Sequence, residues 1–417
     1  MFSGLTIRIG FFLALRQIRR ASLWTTGLIV FVMVLTFLNL VVVSGILVGL
    51  IQGSIDAERT QYTSDVIIST LSDKEYIENS TGVVTLLHTL PQVQKVSARY
   101  VAGASLEANY KTRKESDKPN TAGTQLVGIS PTDENALTGI SKHIIEGSYL
   151  TSSDYDQVLV GYNLLKQYLA INTPGLAALD HVTVGTKIRI NVKGVQHEVV
   201  VKGILKSKVG EISRNVYMVD TQLRGLIGRG DNNVNEIAVQ LVPGADPFAV
   251  RDALIRSGVD QVAKVQSYAD AQPQFLKDFV ATFNTLGNVF SSVGLVVSSI
   301  TIFIVIFINA LTRKKFIGIL KGIGITGQVI EVSYVFQSIF YAVCGSVIGL
   351  LLLYGLLQPS IAAHPIDFPF SDGILVAPLG GTLARIGLLI FSTVVAGYIP
   401  AWMIVRRNTL DSILGRN

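Results

Sequence analysis

Charge is what this chain has least of. Only 15% of its 417 residues are Asp, Glu, Lys or Arg, while 49% are hydrophobic; soluble domains carry roughly a quarter charged residues. The deficit is concentrated in four uncharged runs, between Arg20 and Asp56, Asp278 and Arg313, Glu331 and Asp367, and Arg385 and Arg406. Cysteine is nearly missing too. The one cysteine, Cys344, lies inside the third run, so no internal disulfide can form. The long segment between the first two runs must therefore be held by its own apolar core, and it is large enough for that. No Gly is followed directly by Lys, which excludes the G-x-x-x-x-G-K-[ST] loop and ATP hydrolysis by that machinery. His88, His143, His181, His197 and His364 lack metal-ligand spacing and read as surface or core residues. There is no G-x-S-x-G nucleophile elbow. The expectation is a non-catalytic membrane subunit with no metal and no cofactor of its own.

Crossing a bilayer core takes about 20 apolar residues, and each run is long enough. Spans are expected at Leu23–Ile51, Thr285–Leu311, Val332–Leu357 and Thr382–Val405. Cations in short loops mark the cytoplasmic side. Arg8, Arg16, Arg19 and Arg20 precede the first span, Arg313, Lys314, Lys315 and Lys321 follow the second, and Arg406, Arg407 and Arg416 follow the fourth. The external loop 358–381 has no Lys or Arg, only Asp367 and Asp372 as charges. Both termini are expected inside and segment 52–278 outside. The fold class is thus an α-helical membrane protein with four transmembrane helices and a large α+β extracytoplasmic domain between the first and second. The net charge of +6 is accounted for by these cytoplasmic clusters and does not point to nucleic acid.

Residues 1–22 read as an amphipathic helix on the inner membrane surface, with Ile7, Phe11, Ala14, Leu15 and Ile18 on one face. The external segment shows a weak repeat. Strand Ser64–Thr70, a helix at Thr81–Leu90 and strand Gln92–Tyr100 are echoed by strand Asn235–Val242, helix Asp246–Gly258 and strand Gln261–Tyr268. This predicts a βαβ subdomain from 52–109 and 235–278, with a β-rich subdomain, 110–234, inserted through a charged linker at Tyr110–Thr121. A short helix is expected near Tyr162–Leu169, and a hairpin turn at Lys193–Gly194. Lys202, Lys206 and Lys208 read as a solvated face, and Arg229-Gly230-Asp231 as a chance turn.

Segment 312–330 is short, basic and half apolar. Arg313, Lys314 and Lys315 are followed by Phe316, Ile317, Gly318, Ile319, Leu320, Lys321, Gly322, Ile323 and Gly324. Its glycines permit close backbone approach, its Ile and Leu side chains suit a hydrophobic cleft, and its cations orient it. These residues are the expected docking site for a soluble partner. In the third span, Gly345 and Gly349 have the spacing that lets membrane helices approach closely. In the fourth, Pro400 removes a backbone donor and is expected to kink the helix.

The order of these parts resembles the FtsX-like, MacB-type permeases of ATP-binding-cassette (ABC) systems. TRKKFIGILKGIGIT is similar to that family's coupling segment, and GYIPAWMIVRRNTLDSIL to its C-terminal phrase. EGSYLTSSDYDQVLVGYNLLKQ, VGTKIRI and VVVKGIL are similar to its external core domain. The resemblance implies location in the cytoplasmic membrane of a prokaryote and a second permease protomer, identical or not. It also implies a separate ABC ATPase that binds ATP and Mg, and an extracytoplasmic adaptor or enzyme. Many members carry an acidic residue where this chain has Phe316, so an apolar contact is expected there. The implied outcome is export or extraction of a lipid, peptide or hydrophobic compound. The alternative is transmembrane signalling that regulates an external enzyme such as a cell-wall hydrolase.

Overall fold

The structure is a computed structural model that describes residues 4–114, 118–169, 177–272, 274–364, 367–368, 371–372 and 375–406. The expected C-terminal tail beyond Arg406 lies outside the described residues, as does part of the linker after Tyr110. The chain divides into two units. One comprises Met1–Ile51, Asp278–Asp367 and Asp372–Asn417, the other Gln52–Lys277 and Phe368–Ser371.

The chain opens with α1 (Gly4–Arg19) and α2 (Leu23–Glu58), and α2 ends in a π-helical turn at Arg59–Thr63. The α/β unit follows. Its strands are β1 (Val66–Ser69), β2 (Val93–Glu107), β3 (Thr121–Ile129), β4 (Ile144–Gly147), β5 (Gln157–Gly161), β6 (Lys187–Val192), β7 (Val195–Leu205), β8 (Val216–Val219), β9 (Glu236–Leu241) and β10 (Lys264–Ser267). Its helices are α3 (Ser80–Thr89), α4 (Pro131–Thr138), α5 (Gly210–Arg214), α6 (Asp220–Leu226) and α7 (Pro247–Arg256).

Two β-α-β segments interlock. The strand order β10-β1-β9-β2 is antiparallel at every step, so β1 and β2 are parallel to each other across β9, as are β9 and β10 across β1. Val83 and Leu87 of α3, and Val250 and Leu254 of α7, close over Ile68, Ile237 and Val239 to form one core. Asp246 caps α7, accepting from the Phe248 N–H at 2.9 Å, with Pro247 at the first helical position.

β2 is long because it serves two cores. Its first half pairs with β9 and its second half with β3 and β6. Pairings β2–β3–β8–β5–β7–β6 return to β2, closing a small barrel. Alternate side chains such as Ile188, Ile190, Val199 and Val201 fill it. Lys193 and Gly194 both have positive φ, 48° and 84°, the geometry of a tight two-residue hairpin turn. The helix expected near Tyr162–Leu169 forms instead as two 3-10 turns, Tyr162–Leu164 and Lys166–Tyr168. Leu165 between them is extended. The Lys166 N–H donates to the Leu179 carbonyl at 2.9 Å, and the Leu179 N–H donates to the Leu164 carbonyl at 2.7 Å. These bonds to Leu179 replace the next helical turn.

The other unit is helical: α8 (Gln274–Thr312), α9 (Lys314–Gly322), α10 (Gly327–Leu352, with a π-helical continuation to Leu357), α11 (Gln358–Ala363) and α12 (Leu379–Val405) join α1 and α2. Among the described residues four helices are long and apolar enough to cross a membrane: α2, α8, α10 and α12. Gly345 and Gly349 on α10 face α2, where an added Cβ would overlap Met33 Cβ and the Phe37 ring. Pro400 is buried within α12, which runs on to Val405.

α1 also packs against the bundle, which its sequence did not show. Its buried residues are Thr6, Gly10, Ala14 and Gln17, of which only Ala14 belongs to the apolar stripe. A Cβ at Gly10 would stand 2.7 Å from Val332, and Gln337 donates to Gln17 at 2.6 Å, so this small and polar face lies on α10. Ile7, Phe11 and Leu15 stay exposed. Only small residues let two helices approach this closely, so these larger residues of the stripe are turned outward.

Candidate functional site

Segment 312–330 folds into a helix of its own. Arg313, at φ −99° and ψ 12°, breaks α8 from α9 and stands at the N-terminal boundary of α9 without a side-chain capping bond. At the other end the Gly324 N–H donates to Lys321 O at 3.0 Å, and the Ile325 N–H donates to Leu320 O at 3.0 Å. Gly324 stands at φ 93°. This is a Schellman C-cap, which needs a left-handed residue after the helix and so selects glycine. Lys321 Nζ then donates to the Val405 carbonyl at 2.7 Å, capping the C-terminus of α12 with a cation.

The faces of α9 are divided. Ile317 and Leu320, only 4% and 8% exposed, join a core with Ile29, Met33, Ile306, Ile330 and Ile404 from α2, α8, α10 and α12. Gly318 is buried with them. Phe316, Ile319 and Ile323 are 47%, 53% and 71% exposed. Lys315, Gly322 and Gly324 are exposed as well, and Arg313 is half-buried; the Lys314 side chain lies outside the described residues. Of the Ile and Leu side chains expected to suit a hydrophobic cleft, Ile317 and Leu320 are taken up by the bundle, and Ile319 and Ile323 stay exposed. Helical periodicity places Ile317 and Leu320 three residues apart on the inward face, where they lock α9 to the bundle. The outward face left for a partner is Lys315, Phe316, Ile319 and Ile323.

The α/β unit holds a second group that the sequence reading missed. Arg99 on β2 is 1% exposed and forks onto Glu134 of α4, with Nε and Nη2 at 2.9 and 2.8 Å from the carboxylate. Nη2 also donates to Tyr62 O at 2.9 Å, and Nη1 lies 3.7 Å from Glu236. Tyr62 OH donates to Glu236 at 3.0 Å. Glu58 lies in the same charged setting. Its burial raises its carboxyl from 4.5 to about 8, with Glu211 and Glu236 pushing the same way against Arg99. The sequence signal for α4 was Pro131 at its start, Asp133 and Glu134 in its first turn, and Gly139 after its end.

Lys202 pairs with a largely buried Asp154, Lys206 lies 6.0 Å over the Tyr162 ring, and Lys208 donates to Phe368 O at 2.5 Å; Lys206 itself is exposed. Arg229 pairs with Asp231 at 2.5 Å and sits over Tyr76 and Tyr100 at 4.2 and 5.1 Å. Arg229 thus anchors the segment, while Gly230 and Asp231 stay exposed. Among the described residues no group of three His, Cys, Asp or Glu could hold a metal ion.

Residues 26–257 match the family described as MacB-like periplasmic core domain, and residues 288–409 the FtsX-like permease C-terminal family. Among solved structures, the periplasmic region of MacB from Actinobacillus actinomycetemcomitans is similar at 14% identity, covering 51% of this chain and 92% of that one, with a TM-score of 0.36. The extracellular domain of the ABC-type transporter YknZ from Gram-positive bacteria is similar at 16% identity, covering 49% and 99%, with a TM-score of 0.31. No curated protein matches the sequence. With both family models matched in chain order, the first over more than half of the sequence, this chain belongs to the FtsX/MacB-type permease subunits of ABC transporters.

Proposed function

We propose that α9 docks on a separate ABC ATPase, and that the permease passes the ATPase's movement through its spans to the α/β domain on the other side of the membrane. The observation that carries this is the divided α9. One face is fixed into the bundle by Ile317 and Leu320, and the other offers Phe316, Ile319 and Ile323 to a partner. A helix held this way moves the bundle when it is pushed, because packed cores shift as units and do not deform gradually.

The cations Arg313, Lys315 and Lys321 put α9 on the cytoplasmic side, with both termini there and residues 52–278 outside. ATP and Mg are then bound by the partner, and this chain supplies no catalytic residue. The protein works beside a second permease protomer in the cytoplasmic membrane of a prokaryote, and the movement serves export or extraction of a lipid, peptide or hydrophobic compound.

Co-purification of the intact complex from native membranes tests this. Ile319→Asp places a charge on the outward face and is expected to lose the ATPase while leaving the bundle's thermal stability unchanged. Leu320→Asp, pointing inward, is expected to lower that stability. Full ATPase retention by the Ile319→Asp chain would sink the docking assignment. An external hydrolase among the retained proteins, with no transport activity, would favour the signalling outcome.

A further inference from the structure

The fourth span contains a cation. Arg385 lies in the second turn of α12, between Leu383 and Leu388, which are 63% and 46% exposed. A charge in a span is costly and must be matched by a counter-charge, by water or by lipid headgroups. Among the described side chains no carboxylate lies within ion-pair distance of it, and its guanidinium donates to a neutral hydroxyl, that of Ser44 on α2. The nearby polar groups are already engaged. Tyr354 OH donates to Ala377 O at 2.9 Å, and the Thr382 hydroxyl donates to Pro378 O at 3.2 Å. A guanidinium has five N–H donors in a rigid fork, so among the described side chains most of its donor capacity and its charge go unmatched.

The same helix face continues into a groove. Arg385, Leu388, Ser392, Val395 and Ile399 recur at three- and four-residue spacing along α12. From Ser392 onward this face and α8 border an open groove of about 360 Å³, lined mainly by Ile300, Phe303, Phe391, Val395 and Ile399. At 1.5 Å per residue, Arg385 and Val395 are about 15 Å apart along the helix. That is half of a hydrocarbon core about 30 Å thick. A forked cation and an apolar groove farther along the same helix face match the two halves of one amphiphile.

We propose that Arg385 and the α8–α12 groove form a binding site for one anionic phospholipid, with its phosphate on the guanidinium and an acyl chain in the groove. Arg pairs with phosphate through two parallel charge-assisted hydrogen bonds. The placement in the outer leaflet rests on the orientation proposed above.

The test uses the full-length chain in phosphatidylcholine vesicles containing a photoactivatable phosphatidylglycerol. The probe is expected to label peptides of α8 and α12. Labelling should fall about tenfold in Arg385→Gln, the loss of a charge-assisted pair, and be partly kept in Arg385→Lys. Val395→Trp, which fills the groove, should also lower labelling, with thermal melting confirming that the variants are folded. Equal labelling of Arg385→Gln, or equal labelling by a photoactivatable diacylglycerol, would overturn the proposal. Displacement of the probe by millimolar inorganic phosphate would overturn the lipid in favour of a small-anion site. Orientation is read separately, from maleimide access to Ser360→Cys in a Cys344→Ser background. Labelling only from the cytoplasmic side would overturn the leaflet and the orientation but not the contact between Arg385 and phosphate.

Discussion

The guanidinium of Arg99 and the carboxylate of Glu134 meet in two hydrogen bonds, with side chains only 1% and 3% exposed. Ser97 Oγ donates to the same carboxylate at 2.7 Å. Two charges taken out of water need each other, and deleting one strands the other. Glu134→Leu and Arg99→Met are each expected to destabilise the protein by about 3–5 kcal/mol. The double variant should cost clearly less than the sum. Thermal or urea unfolding of the four chains checks this, and strict additivity would show that the pair is not coupled.

Glu58 gives a pH dependence of known sign. Its carboxyl is raised from 4.5 to about 8, first by burial. Between those values the folded chain holds a proton that the unfolded chain has released, so stability falls as pH rises. The contribution is full below 4.5, is lost progressively up to about 8 and is flat beyond. Glu58→Gln should therefore raise melting temperature more at pH 8 than at pH 5, measured in matched buffers. An equal gain at both would show that Glu58 does not carry the slope.

Gly345 has no room for a side chain. A Cβ there would meet Met33 Cβ and stand 3.0 Å from the Met33 carbonyl carbon. Gly345→Ala is expected to cost about 1–3 kcal/mol, as overpacking does. Gly387→Ala on α12, where nothing lies within 4 Å, serves as the control and should be neutral or stabilising by up to about 1 kcal/mol. Melting in detergent compares them.

Gly324 ends α9 at φ 93°. Gly324→Ala should cost roughly 1–2 kcal/mol, the strain of a left-handed residue bearing a Cβ. Hydrogen exchange at the Ile325 amide, which holds the Schellman bond to Leu320, should quicken. Unchanged exchange would show that the cap is held by the surrounding bundle instead.

Much of the architecture was legible in the linear order of residues. Uncharged runs need no partner to be recognised, because the bilayer sets their length and penalises every charge within them. The echo between Gln92–Tyr100 and Gln261–Tyr268 pointed to repeated β-α-β segments. What stayed hidden were pairings between distant positions. Nothing local distinguishes Arg99 from a surface arginine, since Glu134 lies far along the chain and meets it only when α4 folds over β2. Nor does spacing say which side of α1 is covered, because Gly10 and Ala14 are informative only against Val332 and its neighbours on α10.

The sequence by itself determined the four apolar helices and the site of the basic segment after the second of them. Those follow from transfer of side chains between water and lipid, which acts on each residue separately. Tertiary structure alone decided that Ile317 and Leu320 turn inward while Phe316, Ile319 and Ile323 turn outward, that β2 joins an interlocked β-α-β sheet to a closed barrel, and that Arg385 lies in line with a groove. These depend on which surfaces meet, and burial is a property of the assembled neighbours, not of the residue.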